Sequence, residues 1–164
     1  SIAHFISMGS LSRVMDNAIR QIHQKYPGTL GAYTQSQINT FPQDIFWELL
    51  SSAIDLQQYD YCDTPGPELV WLGRISPEKG LEDAVAAAQR TGTMLKILGK
   101  LENQPYWDTI QRTYADAPID YLGFVNTQQL QATVRSCRGL LMTPRWVEAF
   151  GNVAIEALHE GILQ

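Results

Sequence analysis

Two glutamates around a glycine carry the most suggestive chemistry in the sequence. Residues 145–158 read RWVEAFGNVAIEAL, with Glu148 and Glu156 eight residues apart. Gly151 opens an apolar helical pattern between them, and its lack of a side chain would expose its amide and that of Asn152 to a negative group. Carboxylates that accept paired bonds from neighbouring hydroxyls suit a sugar or a ribose. For either acid alone, however, the helix dipole or plain solvent exposure is the favoured explanation.

Two cations lie in another loop that leads into a helix. In GRISPEKG, residues 73–80, Arg74 and Lys79 precede a helix that we expect to begin near Gly80. Two cations beside free amides at a helix start would hold an anion such as phosphate. Solvated loop charges are the simpler alternative, and we favour that alternative for the pair taken alone.

Short apolar runs alternate with helical spacing from Glu68 onward. Runs typical of buried strands occupy 68–74, 93–99, 119–125 and 139–144. Between them, apolar residues repeat at helical intervals, as Leu81, Ala84, Val85 and Ala88 do. Such βα units predict an α/β fold with a parallel, doubly wound sheet, because each crossover helix returns the chain to the same end. Ligands of such sheets bind at the carboxyl ends of the strands, where the cations and the glutamates both fall.

The first sixty residues follow a similar but weaker pattern. Short strands are predicted at 2–6, 29–34 and 46–52, with a helix from Leu11 to Lys25. CDTPGPE at 62–68, with two prolines and a glycine, is typical of a linker. We therefore predict one α/β domain over 1–60, a linker over 61–67 and a second α/β domain over 68–164.

The amino-acid composition argues against several classes of protein. The 164 residues include 12 Lys+Arg against 17 Asp+Glu, a net charge of -5, so the sequence lacks the basic footprint that nucleic-acid binding needs. No apolar run has transmembrane length, and we expect a cytoplasmic protein without an integral membrane segment. Cys62 and Cys137 stand apart and are expected to be reduced thiols.

Signatures of several enzyme classes are absent from the sequence. Glycine-rich dinucleotide and P-loop motifs, the hydrolase G-x-S-x-G motif and the zinc-binding H-E-x-x-H motif do not occur. The sequence also has no pair of aspartates one residue apart that could hold a metal against a diphosphate. We therefore expect neither a metal nor another cofactor.

Four motifs together resemble a known family. GRISPEKG, LGK, YLGFV and RWVEAFGNVAIEAL, in this order, are similar to the donor-binding domain of retaining glycosyltransferases of family four, whose hallmark is two glutamates eight residues apart around F-G. The resemblance implies the GT-B fold with two Rossmann-like domains that are both incomplete here: the C-terminal part of the acceptor-side domain over 1–60 and the first part of the donor-binding domain over 68–164. The R-W-V-E-A-F-G-N form also resembles a subgroup, the UDP-glucose:tetrahydrobiopterin glucosyltransferases.

The family's functional residues fall on matching positions of this sequence. By resemblance, Arg74 and Lys79 bind the donor diphosphate and stabilise the leaving group, Glu148 contacts the donor sugar, and Glu156 binds the ribose hydroxyls. At eight further positions, the resemblance implies that the backbone contacts the sugar, the phosphates or the nucleobase. These positions are Gly73, Gly99, Gly123, Phe124, Val125, Phe150, Gly151 and Asn152.

A histidine of the other domain often lies near the donor sugar in this family. HFISMGSLSR at 4–13 resembles that region, but its nearest register places Ile6 where the histidine is common. His4 lies two residues earlier on the same strand face and is a candidate replacement. A purely structural histidine explains His4 equally well.

The resemblance implies transfer of a sugar from a nucleotide diphosphate donor such as UDP-glucose, with retained configuration and without a metal. The acceptor is unknown and could be a small molecule, a sugar or a lipid. An alternative is a nucleotide-sugar-binding or interaction module without turnover. Exposed strand edges of incomplete domains would also favour a homo-oligomer.

Overall fold

The predicted α/β architecture is confirmed. A computed structural model describes residues 2–51, 62–147 and 151 of the chain, and within them seven strands form two separate sheets whose strands are all parallel. The described residues divide into two compact units. The first contains 2–51 with 146, 147 and 151, and the second contains 62–145.

The first unit is a small three-stranded sheet in the order β1-β2-β3. Its elements are β1 (His4–Phe5), α1 (Arg13–Lys25), β2 (Leu30–Ala32), α2 (Gln35–Ile38) and β3 (Glu48–Leu49). The α1 helix begins two residues later than predicted, because the Ser12 side chain accepts a hydrogen bond from the Met15 amide and caps the first turn. Apolar residues of the helices and strands form one core, including Ile19, Leu30, Phe41 and Trp47.

The second unit carries every strand and helix predicted between 68 and 144. These are β4 (Leu69–Leu72), α3 (Leu81–Thr91), β5 (Leu95–Leu98), α4 (Gln104–Thr113), β6 (Ile119–Gly123), α5 (Thr127–Arg135) and β7 (Gly139–Leu141). Asn126 caps α5 through a reciprocal capping box with Gln129. The helix predicted beyond Gly151 lies outside the described residues.

Helices cover both faces of the second sheet. One core joins α3 and α4 to the strands through residues such as Val85, Trp107 and Ile97. A second core joins α5 to the opposite face through Val134 and Leu140. The arrangement is therefore doubly wound, with the central strands β4 and β5 largely buried and the edge strand β6 partly exposed.

The order of the second sheet defines where a ligand can bind. The strands run β6-β5-β4-β7, so the chain moves outward from β4 through β5 to β6 and then returns to the other side of β4. The direction of winding thus reverses between β4 and β7. Open α/β sheets bind ligands in the crevice at the carboxyl ends of the strands at such a reversal.

Two further predictions can be compared with the described residues. Gly66, in the predicted linker, donates its amide to the Ser136 carbonyl at 2.8 Å, so this part of the linker packs on the second unit. Across the described part of the chain, no helix combines the length and the apolar character needed to cross a bilayer. The assignment of the two units to acceptor and donor sides stays a prediction.

Candidate functional site

Three glycines line the carboxyl edge of the second sheet. Gly73, Gly99 and Gly123 each follow a leucine at the end of neighbouring strands. The Gly73 amide donates to the Leu98 carbonyl at 3.0 Å, and the Gly99 amide donates to the Gly123 carbonyl at 2.9 Å. The sequence predicted all three as site residues, and the fold brings them side by side.

Gly99 cannot be replaced without moving the backbone. Its φ is +138°, a region that residues with a side chain rarely adopt, and an added Cβ would lie 1.9 Å from the Gly73 carbonyl oxygen. The Tyr121 hydroxyl donates to the Gly99 carbonyl at 2.9 Å and fixes the peptide from the β6 side. Close approach of the strand ends therefore depends on this glycine.

The loops after β4 and β5 stay paired beyond the glycines. The register of these strands continues to a bridge between Ile75 and Leu101, which places Arg74 opposite Lys100. The Ile75 amide donates to the Lys100 carbonyl at 2.9 Å, and the Asn103 amide donates to the Ile75 carbonyl at 3.1 Å. Two cations are thus neighbours at the carboxyl edge.

Arg74 is held by two carboxylates. Its guanidinium lies 2.8 Å from a Glu102 oxygen and 3.6 Å from a Glu78 oxygen, and about half of its side chain is exposed. Glu78 also accepts a 2.7 Å hydrogen bond from the Ser76 hydroxyl. Burial acts to raise the pKa of Glu78, but the Ser76 hydroxyl, a backbone amide and the charges of Arg74 and Lys79 outweigh it and lower that pKa.

Lys79 and Gly80 form a tight turn before α3. Pro77–Lys79 make one turn of 3-10 helix, and Gly80 adopts φ +64° immediately before Leu81, where α3 was predicted to begin. An added Cβ on Gly80 would lie 2.1 Å from the Thr143 carbonyl oxygen. The Lys79 side chain is half-buried beside this turn. The glycine therefore lets the loop after β7 reach the turn.

The first turn of α3 carries two carboxylates that pair with an arginine. Glu82 and Asp83 lie in that turn, and Arg145 forms an ion pair with each, at 2.7 Å and 3.4 Å. The Tyr106 hydroxyl donates to the same Glu82 carboxylate. Two carboxylates and Arg145 thus lie beside this helix start, and the expectation that its amides would help to hold an anion stays a prediction.

Thr143 fastens the loop after β7 to the loop after β4. The Trp71 indole nitrogen donates to the Thr143 hydroxyl at 3.1 Å, and that hydroxyl donates to the Gly80 carbonyl at 2.8 Å. The Arg145 amide donates to the Glu78 carbonyl at 2.9 Å. Both loops that flank the winding reversal are thus held together within the second unit.

Most of the paired-glutamate stretch lies outside the described residues. Glu148, Phe150, Asn152 and Glu156 are in that group, so their predicted roles stay predictions. Gly151 is described and has φ +77°, a conformation that favours glycine. The expectation that Gly151 exposes backbone amides to a ligand stays a prediction.

Phe124 and Val125 follow the last of the three glycines. Phe124 is 83% exposed, whereas Val125 packs against the core under α5. A flat apolar ring at the carboxyl edge of the sheet offers a surface for a planar group such as a base. The predicted contact of this segment with a nucleobase stays a prediction.

His4 lies at the start of β1 rather than at its carboxyl end. Its Nδ1 lies 3.0 Å from the Thr29 hydroxyl, and its ring stacks on Tyr26 with ring centroids 5.7 Å apart. Tyr26 ends α1, so these contacts are at the amino edge of the first sheet. They favour a structural histidine, and a catalytic role for His4 stays a prediction.

Gln37 organises the loop after β1, and the sequence analysis missed it. Its side chain is fully buried, donates to the carbonyls of Ile6 at 2.7 Å and Met8 at 3.0 Å, and accepts from the Tyr33 amide at 2.8 Å. A buried amide with several backbone partners fixes the shape of a loop. Only the fold reveals this role, because the partners are far apart in the sequence.

Glu102, Lys100 and Arg145 were also not singled out. A signal for Lys100 was present, since strands β4 and β5 both end in Leu-Gly followed by a cation. No comparable signal marked Glu102 or Arg145, because their partners come from other loops. In the described ranges, no three His, Cys, Asp or Glu side chains lie close enough to share a metal ion.

Two solved structures have the same fold as this chain. The glycosyltransferase AviGT4, of avilamycin A biosynthesis, matches with a TM-score of 0.71 at 22% identity, over 80% of this chain and 42% of that one. Anabaena HepE, solved with UDP and glucose, matches with a TM-score of 0.80 at 15% identity, over 93% of this chain and 47% of that one. The parallel sheets are thus those of the GT-B glycosyltransferase fold.

The sequence comparison identifies the family. The family described as glycosyl transferases group 1 matches residues 63–163, and the chain belongs to it. Glycogen synthase of Mycobacterium tuberculosis is 28% identical over 123 residues, which are 69% of this chain and 30% of that protein. The chain thus spans less than a third of the length of this curated relative.

Proposed function

We propose that this chain binds the donor of a glycosyl transfer, a nucleoside diphosphate sugar such as UDP-glucose, at the carboxyl ends of β4, β5 and β7. The whole protein to which such a donor unit belongs would transfer the sugar with retained configuration and without a metal, as in family four. Membership of the glycosyl transferases group 1 supports the reaction class. The UDP and glucose bound to HepE motivate the choice of donor.

One observation carries the proposal. The loops after β4 and β7 flank the reversal of winding, and Thr143 and Arg145 tie them together there. Arg74 and Lys79 lie in the first of these loops. Two cations at the ligand-binding edge of a doubly wound sheet are suited to neutralise a diphosphate.

The proposed chemistry rests on charge stabilisation of the leaving group. Breaking the bond between sugar and phosphate leaves negative charge on the nucleoside diphosphate, which Arg74 and Lys79 would stabilise as it develops. Glu148 would orient the donor sugar, and Glu156 would hold the ribose hydroxyls. The glycines at 73, 99, 123 and 151 would let backbone approach the ligand closely.

The donor role can be tested by titrating UDP into the 164-residue chain and its variants, with calorimetry as the readout. Arg74→Ala and Lys79→Ala should each weaken UDP binding by roughly tenfold or more, since each removes one charge-assisted contact to phosphate. Arg138→Ala is the matched control, because Arg138 is exposed and precedes β7 at the opposite edge of the sheet. Unchanged affinity in both cation variants would contradict the diphosphate role.

Turnover is a separate question from binding. If the chain binds UDP but releases no UDP from UDP-glucose with any of a panel of sugar, lipid and small-molecule acceptors, the binding module without turnover is the better description of this chain. Release of UDP that depends on an acceptor would instead establish transfer.

A further inference from the structure

The guanidinium of Arg74, which would bind the proposed donor, already binds a carboxylate. Glu102 contacts Arg74 at 2.8 Å, and this is the shorter of the two ion pairs that the described residues form with Arg74. We propose that Glu102 is an internal competitor of the donor diphosphate. Its carboxylate binds the Arg74 guanidinium when the site is empty and binds it again when the nucleotide leaves. This inference rests on the proposed donor role of Arg74.

Backbone pairing delivers Glu102 to this position. Its own amide and that of Asn103 both donate to the Ile75 carbonyl, at 3.4 Å and 3.1 Å. The Asn103 side chain then accepts from the Tyr106 amide and caps α4. Glu102 lies between the bridge of Ile75 with Leu101 and the Asn103 cap of α4. Its backbone is therefore fixed on both sides, and this holds the carboxylate near Arg74.

Glu102 is not needed to orient the arginine. Glu78 provides a second carboxylate for the same guanidinium and is itself fixed by Ser76. The side chains of Arg74 and Glu102 are 46% and 41% exposed, and an exposed pair of this kind is weak enough for a phosphate to displace. A diphosphate would therefore displace the Glu102 carboxylate from Arg74 at little cost in free energy. The displaced carboxylate would stay nearby, and its negative charge would repel the bound diphosphate.

Two consequences follow for the bound nucleotide. Removing the charge of Glu102 frees one side of the Arg74 fork and removes the repulsion, so binding should tighten. The same change removes the group that recaptures Arg74, so the nucleotide should leave more slowly. Glu102 would thus set product release rather than the chemical step.

UDP binding to Glu102→Gln tests the proposal. We expect the dissociation constant to fall roughly threefold to tenfold at low salt, with a slower dissociation rate in stopped-flow displacement. Asp116→Asn is the matched control, since it changes the net charge equally at an exposed position before β6, at the amino edge of the sheet. The control should leave both quantities unchanged.

A double variant shows whether the effect passes through Arg74. In the Arg74→Ala background, Glu102→Gln should no longer tighten UDP binding, because the contested guanidinium is absent. Equal tightening in both backgrounds would overturn the proposal and indicate only a general charge effect. Unchanged or weaker binding of the single variant would overturn it as well.

The outcomes separate this inference from the proposed function. Loss of binding in Arg74→Ala together with no tightening in Glu102→Gln would retain the donor site and reject the competition. If Arg74→Ala has no effect on UDP binding, or if the unaltered chain does not bind UDP, the donor role of Arg74 is rejected. The competition of Glu102 for Arg74 is then rejected as well. Thermal unfolding of each variant shows whether a change in affinity reflects loss of fold.

Discussion

The loops at the strand ends of the two units are stabilised in opposite ways. In the first unit, the loop after β1 is held by the fully buried, neutral amide of Gln37, and the Thr40 hydroxyl accepts from the Ser10 amide at 2.8 Å. In the second unit, the loops after β4 and β5 are held by glycine backbone and by exposed ion pairs such as that of Arg74 with Glu102.

The difference indicates what each loop can do. Buried hydrogen bonds to backbone are costly to break, because water does not replace the lost partner. Exposed ion pairs are worth little, and a ligand of the right charge can replace one member. The loop after β1 is therefore held in one shape. The loops after β4 and β5 also have a fixed backbone, but a ligand can replace one member of their exposed ion pairs.

The largest effect is expected at the glycine that joins the second pair of loops. Gly99→Ala should destabilise the second unit by about 4 kcal/mol, because the new Cβ would collide with the Gly73 carbonyl and the backbone angle is unfavourable. Chemical denaturation measures the change. Gly92→Ala is the control: its φ is also positive, at +63°, but no atom lies within 4 Å of the added Cβ, so a loss of about 1 kcal/mol is expected. Equal losses would show that the close approach of the strand ends is not required.

The next effect tests the neutral network of the first unit. Gln37→Leu should destabilise that unit by about 3 kcal/mol, since it leaves the carbonyls of Ile6 and Met8 and the Tyr33 amide without this partner. Gln35→Leu makes the same chemical change on the exposed face of α2 and should cost under about 0.5 kcal/mol. A loss in Gln37→Leu no larger than in the control would contradict the contrast between the two units.

A smaller effect is expected from the ion pairs that hold the loop after β7. Arg145→Gln removes the contacts with Glu82 and Asp83 and should cost about 1 kcal/mol or less, because half of the Arg145 side chain is exposed. High salt should shrink this difference. Arg138→Gln is the control for the loss of a positive charge in the same unit. A salt-independent loss of several kcal/mol would mean that Arg145 acts through buried packing instead.

The smallest effect concerns pH. The pKa of Glu78 is lowered from its ordinary value of 4.5 in the folded chain, so its carboxylate stabilises the fold above that value. The contribution disappears as the pH falls through the lowered pKa. Glu78→Gln should therefore cost stability at pH 7 and very little at pH 3, as measured by denaturation at both values. A penalty for Glu78→Gln that grows at low pH would reverse the predicted sign.

Much of the second unit could be predicted because its signals are local. The apolar face of α3 and the buried strand runs are set by spacing within one segment, and those elements are present as expected. The α2 helix was missed because it has only four residues and depends on Thr34 and Gln37 for its shape. Sheet order and the contacts of Arg74 with Glu102 depend on the register between strands, which sequence spacing does not encode.

The candidate site was predictable only in part for the same reason. The motifs GRISPEKG and LGK and the loop before α3 pointed to Gly73, Gly99, Arg74 and Lys79, and these residues lie at the predicted edge of the sheet. The sequence could not reveal that Glu82 and Asp83 bind Arg145, because residue 145 is brought there by β7. The anion site predicted at that helix start stays a prediction.

Backbone NMR during a UDP titration tests most directly where the donor binds. With assigned amide resonances, we predict the largest shift changes at the carboxyl ends of the second sheet, in residues 73–80, 99–102, 123–125 and 142–147, with small changes before β4, β5, β6 and β7. Arg74→Ala should reduce these changes at equal UDP concentration. Shifts concentrated at the amino ends of the strands, or confined to the first unit, would contradict the central claim that this edge of the sheet is the donor site.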